Sequence, residues 1–318
     1  MVGSIVLLLI GFVLLIVGSN LFVDAVSSLA IRCKLPKMLI ALTVASFCTC
    51  APELSISFQS ILMGNGDVVL SNIVGSCVVN ILLIIGIAAM VHPIQMKSRT
   101  IKKEIPLLIL ITMTFVVMLC DHLFYPGMKN TISRTDGILL LLCFVMFCFY
   151  LVSIVRRRKE EDQKMVAKYG LGSSIFLILG CIVGIIIGSD LVVNSAVKIA
   201  QLVHVSDKII TMTIVVIGTS LPELTLTVIS AYKGEFDMAI GNIIGTNIFN
   251  VCIVLGLPIA IFGGISSTAF GIVDAFVVLL ASVLLYLFSK SGKKLTRYEG
   301  WLMVVVFILY YVYLFTSM

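Results

Sequence analysis

The stretch that decides the fold reads SFCTCAPELSIS at residues 46–57, and a second copy reads VIGTSLPELTLT at residues 216–227. Each copy places a threonine, a proline and a glutamate, in that order and at the same spacing, inside a long apolar run. An ionised side chain at the centre of a lipid bilayer costs at least about 2.5 kcal/mol. A chain that carries this cost twice, in one repeated pattern, indicates that the two glutamates have a function.

The composition around these stretches is that of an integral membrane protein. Of the 318 residues, 60% are hydrophobic and 12% are charged, whereas a soluble domain has about 25% charged residues. The mean hydropathy of +1.19 agrees with this class. The first apolar run begins at Ile5 with no basic residue before it, so we interpret it as a retained span and not as a signal peptide.

Apolar windows of about 20 residues, the length of one helical span, recur along the whole chain. We expect each window to be a helix, because a spanning segment must satisfy its own backbone hydrogen bonds. A membrane β-barrel would instead show alternating segments of about 10 residues. The predicted fold class is therefore all-α and integral to the membrane, with ten transmembrane helices. The windows cover residues 4–28, 37–62, 68–91, 104–120, 135–155, 172–197, 208–232, 238–262, 268–288 and 299–317.

The charged residues between the windows predict the orientation of the chain. Of the 22 lysines and arginines, all but Lys129, Arg134, Lys198 and Lys208 lie at or between the ends of spans that meet on one side of the membrane. The positive-inside rule makes that side the cytoplasm and places both termini outside. The expected location is the cell (inner) membrane, crossed several times.

The charged run RRRKEEDQK at residues 156–164 separates two groups of five windows. We therefore predict a first repeat over residues 1–155, a short cytoplasmic linker over 156–170 and a second repeat over 171–318. The two motif regions, 46–80 and 216–250, match at a constant offset without a gap. The paired positions are Thr49 and Thr219, Pro52 and Pro222, Glu53 and Glu223, Asn72 and Asn242, Gly75 and Gly245, and Asn80 and Asn250.

Five spans per repeat is an odd number, so the second repeat must enter the membrane upside down relative to the first. Chance similarity between two apolar sequences would align leucine, isoleucine and valine, and not proline, glutamate and asparagine. Inverted repeats are the usual architecture of secondary transporters, whose binding site lies at the bilayer midplane between interrupted helices.

Oxygen is the ligand atom that both motifs offer at the midplane. A proline inside a span kinks or breaks the helix, which frees carbonyl oxygens around Ser46–Thr49 and Val216–Thr219. Oxygen ligands suit hard cations such as Ca²⁺. Two neighbouring carboxylates cannot both stay ionised without a cation, and one Ca²⁺ or several Na⁺ would balance them. The side chains that carry oxygen are Glu53, Glu223, Thr49, Thr219, Ser76, Thr246, Asn80 and Asn250.

Other polar residues within the windows give weaker signals. Asn20 and Asp24 in the first span correspond to Asp190 and Asn194 in the sixth. These residues either assist ion access or face water and cap a helix at a span end. Asp274 lies near the start of the ninth span, where we expect it at the membrane interface.

Both motifs resemble those of the sodium/calcium exchanger family, within the cation/calcium exchanger superfamily. GTSLPELTLTVIS followed by GNIIGTNIFN is similar to the second alpha-repeat of that family, and CTCAPELSISF followed by SNIVGSCVVN is similar to the first. The resemblance covers the whole chain. It indicates a compact prokaryotic type, because the central loop is too short for the Ca²⁺-sensing domains of animal exchangers.

The resemblance implies roles for the matching positions. Glu53 and Glu223 would be the central Ca²⁺ ligands, shared with Na⁺, and Thr49 and Thr219 would add oxygens to that site. Spans one and six would slide across the remainder to give alternating access. The flanking Na⁺ sites would be lined by Ser76, Thr246, Asn80 and Asn250 and by the carbonyls of Ser46 and Val216.

The first motif departs from the family pattern at two cysteines. Cys48 and Cys50 stand where the family usually has glycine and serine, and Cys77 lies nearby in the next span. These thiols either pack as small polarisable residues or give some affinity for a soft metal such as Cd²⁺. Asn250 stands where the potassium-dependent branch has aspartate, which implies exchange independent of K⁺.

These observations predict a transporter and not an enzyme. The predicted function is a secondary antiporter that exchanges Na⁺ for Ca²⁺, with no cofactor, no nucleic-acid partner and no obligate protein partner evident. The transported ions are its substrates, and the bilayer is its surroundings. The alternatives are a Ca²⁺/H⁺ antiporter of the same superfamily, a cation channel and a scaffold that transports nothing.

Overall fold

The computed structural model describes residues 2–119, 130–156, 167–202, 216–267 and 272–317, and most of these residues are helical. Three π-helical segments interrupt the first half at Ala41–Ala45, Val79–Ile84 and Thr100–Glu104. The α-helices of the first half are α1 (Val2–Arg32), α2 (Lys37–Ile40), α3 (Ser46–Thr49), α4 (Ala51–Leu62), α5 (Gly66–Val78), α6 (Ile85–Val91), α7 (Ile105–Leu119) and α8 (Arg134–Arg156).

The second half contains a similar series of helices. A π-helical segment lies at Asn250–Leu255. The α-helices are α9 (Leu171–Leu202), α10 (Val216–Thr219), α11 (Leu221–Tyr232), α12 (Phe236–Phe249), α13 (Gly256–Phe262), α14 (Ile272–Lys290) and α15 (Arg297–Ser317).

Two short antiparallel strand pairs join the loops of one half to the loops of the other. β1 (Ile94–Gln95) pairs with β4 (Lys294–Leu295), with Ile94 opposite Leu295. β2 (Asn130–Ile132) pairs with β3 (Ile265–Ser267), with Ile132 opposite Ile265. Each pair connects loops that the predicted topology places on the same side of the membrane.

The helices have the lengths and apolar composition of membrane spans. Within the described residues, seven helices could cross a membrane, and the pair Lys37–Thr49 and Ala51–Leu62, bent by 46°, would be an eighth. Of the remaining predicted windows, 104–120 coincides with the 15-residue α7, and 208–232 lies partly outside the described residues. The chain is a multi-span helical membrane protein, and the count of ten inverted spans stays a prediction.

Buried apolar side chains form two separate clusters. The larger one joins the helices that surround the motif regions and includes Leu70, Phe115 and Ile248. The smaller one joins α1 and α9 to the first broken helix, α11 and α12, and includes Phe22, Ile185 and Leu226. Because α1 and α9 pack along each other more extensively than any other pair of described helices, they are named here the α1/α9 pair.

Glycines set how closely the α1/α9 pair is packed. A Cβ atom added to Gly11 would lie 2.7 Å from the carbonyl oxygen of Gly188, and one added to Gly188 would lie 3.0 Å from the carbonyl oxygen of Gly11. Small residues at a helix crossing allow backbones to approach this closely in membranes. The crossing therefore leaves no space for a larger side chain.

We expect Gly188→Val to lower the free energy of unfolding by about 1–3 kcal/mol, because the added methyl groups force α1 and α9 apart. The thermal unfolding midpoint of the purified protein in detergent measures this effect. Gly184→Val, one turn earlier on α9, is the matched control, since a Cβ there meets no described atom within 4 Å. Equal midpoints for the two variants would contradict the close crossing.

Candidate functional site

Each of the two opening stretches folds as a helix that stops and starts again at its centre. The first breaks at Cys50 (φ −78°, ψ −2°) and the second at Ser220 (φ −90°, ψ 9°). Pro52 and Pro222 follow in the first turn of the new helices, where the missing proline N–H costs no helical hydrogen bond. The prolines thus begin α4 and α11, as the predicted helix breaks require.

The helices that follow the breaks have the same design. α4 and α11 each contain 12 residues. Each ends with a glycine in the left-handed region, Gly64 at φ 69° and Gly234 at φ 74°. At both ends the amide of the next residue donates to a carbonyl five residues earlier, which is the Schellman motif. The repeat seen in the sequence is therefore also a repeat of local structure.

Glu53 and Glu223 lie in the first turns of α4 and α11. Both residues are buried, with 1% and 0% of their surfaces exposed. The positive end of a helix dipole favours a carboxylate at this position, although it supplies only part of what hydration supplies in water. The two carboxylates lie near enough to each other for direct electrostatic repulsion.

Several buried oxygens around these carboxylates have no hydrogen-bond partner among the described residues. Such atoms are unusual in proteins, where the great majority of buried polar groups are paired. Here they include carboxylate, hydroxyl and amide oxygens from both halves of the chain. The atoms are Oε2 of Glu53, Oε1 and Oε2 of Glu223, Oγ of Ser76, Oγ of Ser220, and Oδ1 of Asn80 and Asn250.

Contacts across the two halves bring these oxygens together. The hydroxyls of Thr49 and Thr246 are 3.5 Å apart, and the Thr49 side chain also lies near Glu223. Ser46 donates through Oγ to the carbonyl of Asn242 at 3.0 Å, so the end of the first broken helix contacts α12. The site is therefore built jointly by both halves.

Thr49 and Glu53 are four residues apart, but they do not share one continuous helical turn. Cys50 interrupts the helix between the two residues. As a result, Thr49 contacts Thr246 of the other half. Thr219 is half-buried at the end of α10, and Val216 begins that helix.

The two asparagines predicted to line the site, Asn80 and Asn250, lie in π-helical segments, where the helix is wider than an α-helix. Asn80 lies in the π-helical segment Val79–Ile84, and Asn250 begins the segment Asn250–Leu255. π-helical turns within α-helices are rare and are frequent at functional sites. Ser76 and Thr246 lie one turn earlier and are also buried. Sequence reasoning found these residues but gave no signal for the widened turns.

Asn72 and Asn242 act as symmetric braces, which sequence reasoning paired but did not place in the site. The amide of Asn72 donates to the backbone carbonyl of Glu53 at 3.1 Å and to Ser57 Oγ at 3.4 Å. The amide of Asn242 donates to Thr227 Oγ1 at 3.2 Å. Each asparagine thus ties its helix to the helix that carries a glutamate.

The other polar residues noted in the sequence lie outside this site. Asp24 pairs with two lysines and is discussed below. Asp190 and Asn194 are exposed on α9. Asp274 is buried and accepts a hydrogen bond from the Tyr310 hydroxyl at 2.8 Å.

The cysteines near the site do not form a soft-metal centre. Among the described residues, no group of three or more His, Cys, Asp or Glu residues could hold a metal ion. Cys50 donates through Sγ to the carbonyl of Thr246 at 3.7 Å. The site has two carboxylates and neutral oxygens, so it is suited to a hard cation whose remaining ligands are uncharged.

Comparison with known proteins gives a consistent result. The family model described as "Sodium/calcium exchanger protein" matches residues 3–153 and 173–316. The "Putative antiporter CaxA" of Alkalimonas amylolytica is 36% identical over 100% of both chains. The "Sodium/calcium exchanger MaX1" of Methanosarcina acetivorans is 28% identical over 97% of both chains. A solved structure of the sodium-calcium exchanger NCX_Mj, 29% identical, superposes with a TM-score of 0.83 over 97% of both chains.

We expect Glu223→Gln to raise the thermal unfolding midpoint of the protein in cation-free buffer. The substitution removes a buried charge whose two oxygens have no hydrogen-bond partner among the described residues. The gain should grow as the pH rises, because alkaline buffer favours the ionised form in the unsubstituted chain.

Glu235→Gln is the matched control for this measurement. Glu235 is paired with Lys37 at 2.5 Å, so its neutralisation should lower the midpoint or leave it unchanged. A midpoint for Glu223→Gln below that of the unsubstituted protein, at every pH, would contradict the description of Glu223 as an uncompensated buried carboxylate.

Proposed function

The chain belongs to the sodium/calcium exchanger protein family, and on that premise we propose that it is a secondary antiporter that exchanges Na⁺ for Ca²⁺. In this proposal the site between the two halves binds either one Ca²⁺ or Na⁺ ions. Alternating access then exposes it to one side of the membrane at a time. The inward Na⁺ gradient would drive Ca²⁺ out of the cell.

The observation that carries the proposal is the set of buried, unpaired oxygens around Glu53 and Glu223. A folded chain does not leave this many polar atoms unsatisfied unless something else binds them. Two carboxylates plus hydroxyl and amide oxygens match the coordination that Ca²⁺ prefers. Because the charge of one Ca²⁺ equals that of the two carboxylates, the loaded site is neutral.

Na⁺ coupling is supported by the neutral oxygens. Proton exchange would need only the two carboxylates, whereas Na⁺ needs several oxygens of its own. Ser76, Asn80, Thr246 and Asn250 are buried and lie on the two helices that flank the glutamates. We assign to them the flanking Na⁺ sites, together with the carbonyls of Ser46 and Val216.

We assign the central ion to Glu53 and Glu223, with Thr49 and Thr219 as further oxygen ligands. This assignment agrees with the position of the glutamates in the first turns of two helices, one in each half. It also agrees with the contact between Thr49 and Thr246, which brings hydroxyls of both halves to the same place.

The proposed topology has ten spans in two inverted repeats of five, residues 1–155 and 171–318, with both termini outside the inner membrane. The repeated break, helix length and Schellman end of α4 and α11 support the repeat. The two strand pairs support the assignment of loops to sides. An odd number of spans per repeat provides two equivalent half-sites of opposite orientation, which alternating access requires.

Glu53→Gln and Glu223→Gln should each abolish Na⁺-driven Ca²⁺ uptake, because each removes a charge that balances Ca²⁺. The assay uses purified protein in liposomes loaded with Na⁺ and diluted into K⁺ medium with radiolabelled Ca²⁺. Glu104→Gln is the matched control, since Glu104 is a buried glutamate that bonds Tyr150 outside the site.

Two other results would change the assignment. Uptake that follows an imposed pH gradient and ignores Na⁺ would make the protein a Ca²⁺/H⁺ antiporter. Uptake that survives both glutamate substitutions would remove the site from the transport path altogether.

A further inference from the structure

A charged cluster joins α1 to the cytoplasmic end of the helix that carries Glu223. The Nζ atom of Lys233 lies 2.5 Å from Asp24 Oδ1 and donates to the backbone carbonyl of Asn20 at 2.8 Å. Lys168 holds the other carboxylate oxygen, Asp24 Oδ2, at 2.8 Å. Lys233 is the residue at which α11 ends.

The same side of α1 bears further contacts with the segment before α9. Ser28 accepts hydrogen bonds through Oγ from the amides of Lys168 and Tyr169, at 3.1 and 3.3 Å. Arg32 donates through Nε to the carbonyl of Tyr169 at 2.5 Å. The hydrogen bond to Asp24 raises the pKa of Lys168 above its ordinary value, so this lysine is charged at physiological pH.

This end of α1 lies along α11 towards the proposed ion site. Ser19 donates to Thr225, two residues beyond Glu223, at 3.0 Å. From there to Lys233 the two helices stay in contact. Beside them is a polar crevice of about 560 Å³, lined in part by Asn20, Asp24 and Lys233. Lys168 and the Lys37–Glu235 ion pair also line this crevice.

The repeat shows that the fold itself does not need this ion pair. At the corresponding positions of the other repeat, Asp24 is replaced by Asn194 and Lys233 by Met63. Neither residue is charged, and Met63 is 80% exposed. Among the described residues, the two half-sites therefore differ at this pair of positions: one half-site has an ion pair there, and the other has two uncharged residues.

We propose that the Asp24–Lys233 pair, braced by Lys168, is a gate that holds α1 against α11 and closes the cytoplasmic side of the ion site. The gate parts when the α1/α9 pair moves, and it makes the cytoplasm-closed state the more populated one. The proposal rests on the proposed function, because a gate has meaning only for a site that alternates between two sides. The close crossing of α1 and α9 at Gly11 and Gly188 supports the movement of the two helices as one unit.

The test replaces each residue of the pair by the residue at the corresponding position of the other repeat, which gives Asp24→Asn and Lys233→Met. Ca²⁺ uptake is measured in vesicles of both orientations, which gives an apparent Ca²⁺ affinity for each face. Opening the gate should populate the cytoplasm-open state, so the affinity at the cytoplasmic face should rise relative to that at the outer face. We expect a change of about threefold to tenfold, since the paired groups are partly exposed.

The contacts also predict which variant changes the ratio of the two Ca²⁺ affinities most. Lys233→Met removes both contacts of Lys233 with α1, the ion pair with Asp24 and the hydrogen bond to the carbonyl of Asn20. Asp24→Asn leaves the second of these contacts. Lys233→Met should therefore have the larger effect, and the double variant should equal Lys233→Met. Lys97→Met is the matched control, because it breaks an ion pair with Asp237 between two elements that do not include α1.

A purely structural role would give a different result. Asp24→Asn would then lower the thermal unfolding midpoint but leave the ratio of the two affinities unchanged, and that outcome would overturn the gate. Additive effects of the two substitutions would overturn the direct pairing.

A second measurement separates failure of the gate from failure of the proposed function. Hydrogen exchange of the Gly234 and Glu235 amides, which bond carbonyls at the end of α11 beside Lys233, reports the contact of that end with α1 and needs no transport. These amides should exchange faster in Asp24→Asn than in the unsubstituted protein. If the unsubstituted protein transports no Ca²⁺ but hydrogen exchange of these amides is faster in Asp24→Asn, the proposed function fails and the contact between α1 and α11 is still supported. If hydrogen exchange is the same in both proteins, the gate is wrong whichever ion is transported.

Discussion

The structure depends on one electrostatic constraint. Two carboxylates, Glu53 and Glu223, are buried close together in a membrane protein, and no cationic side chain among the described residues neutralises them. In a medium of low dielectric constant such a pair is strongly unfavourable unless a cation binds between its members. The rest of the site agrees with this requirement. Hydroxyl and amide oxygens surround the pair, and the described part of the chain supplies no lysine or arginine to it.

Breaks and π-helical segments in the helices place these oxygens around the two glutamates. A continuous helix would use its carbonyls and amides internally and would present only side chains. Breaks at Cys50 and Ser220 place each glutamate in a new first turn, where the helix dipole favours negative charge. The π-helical segments at Asn80 and Asn250 widen the neighbouring helices at the same level. Both halves use the same helix breaks and π-helical segments, as the proposed alternating access would require.

The sequence was sufficient for the features that depend on local chemistry. Where the structure describes the chain, the apolar windows coincide with helical segments to within a few residues. The helices α1 and α9 extend beyond their windows because a helix continues past the apolar core. Pro52 and Pro222 predicted the breaks, since proline acts on its own turn. The contacts of Thr49 and Asp24 were beyond sequence reasoning, because their partners Thr246 and Lys233 are about 200 residues away. The widened turns at Val79–Ile84 and Asn250–Leu255 also had no signal, since apart from their asparagines the side chains within them are of the kind found in any apolar span.

The most direct test of this account is a crystal structure of the protein with Ca²⁺ or the more strongly scattering Sr²⁺. The account predicts one divalent ion between Glu53 and Glu223, with carboxylate oxygens at about 2.3–2.6 Å for Ca²⁺ and neutral oxygens completing the shell. High Na⁺ should displace it. A divalent ion bound elsewhere, or a site that stays without one at saturating concentration, would contradict the claim that these two carboxylates hold the transported ion.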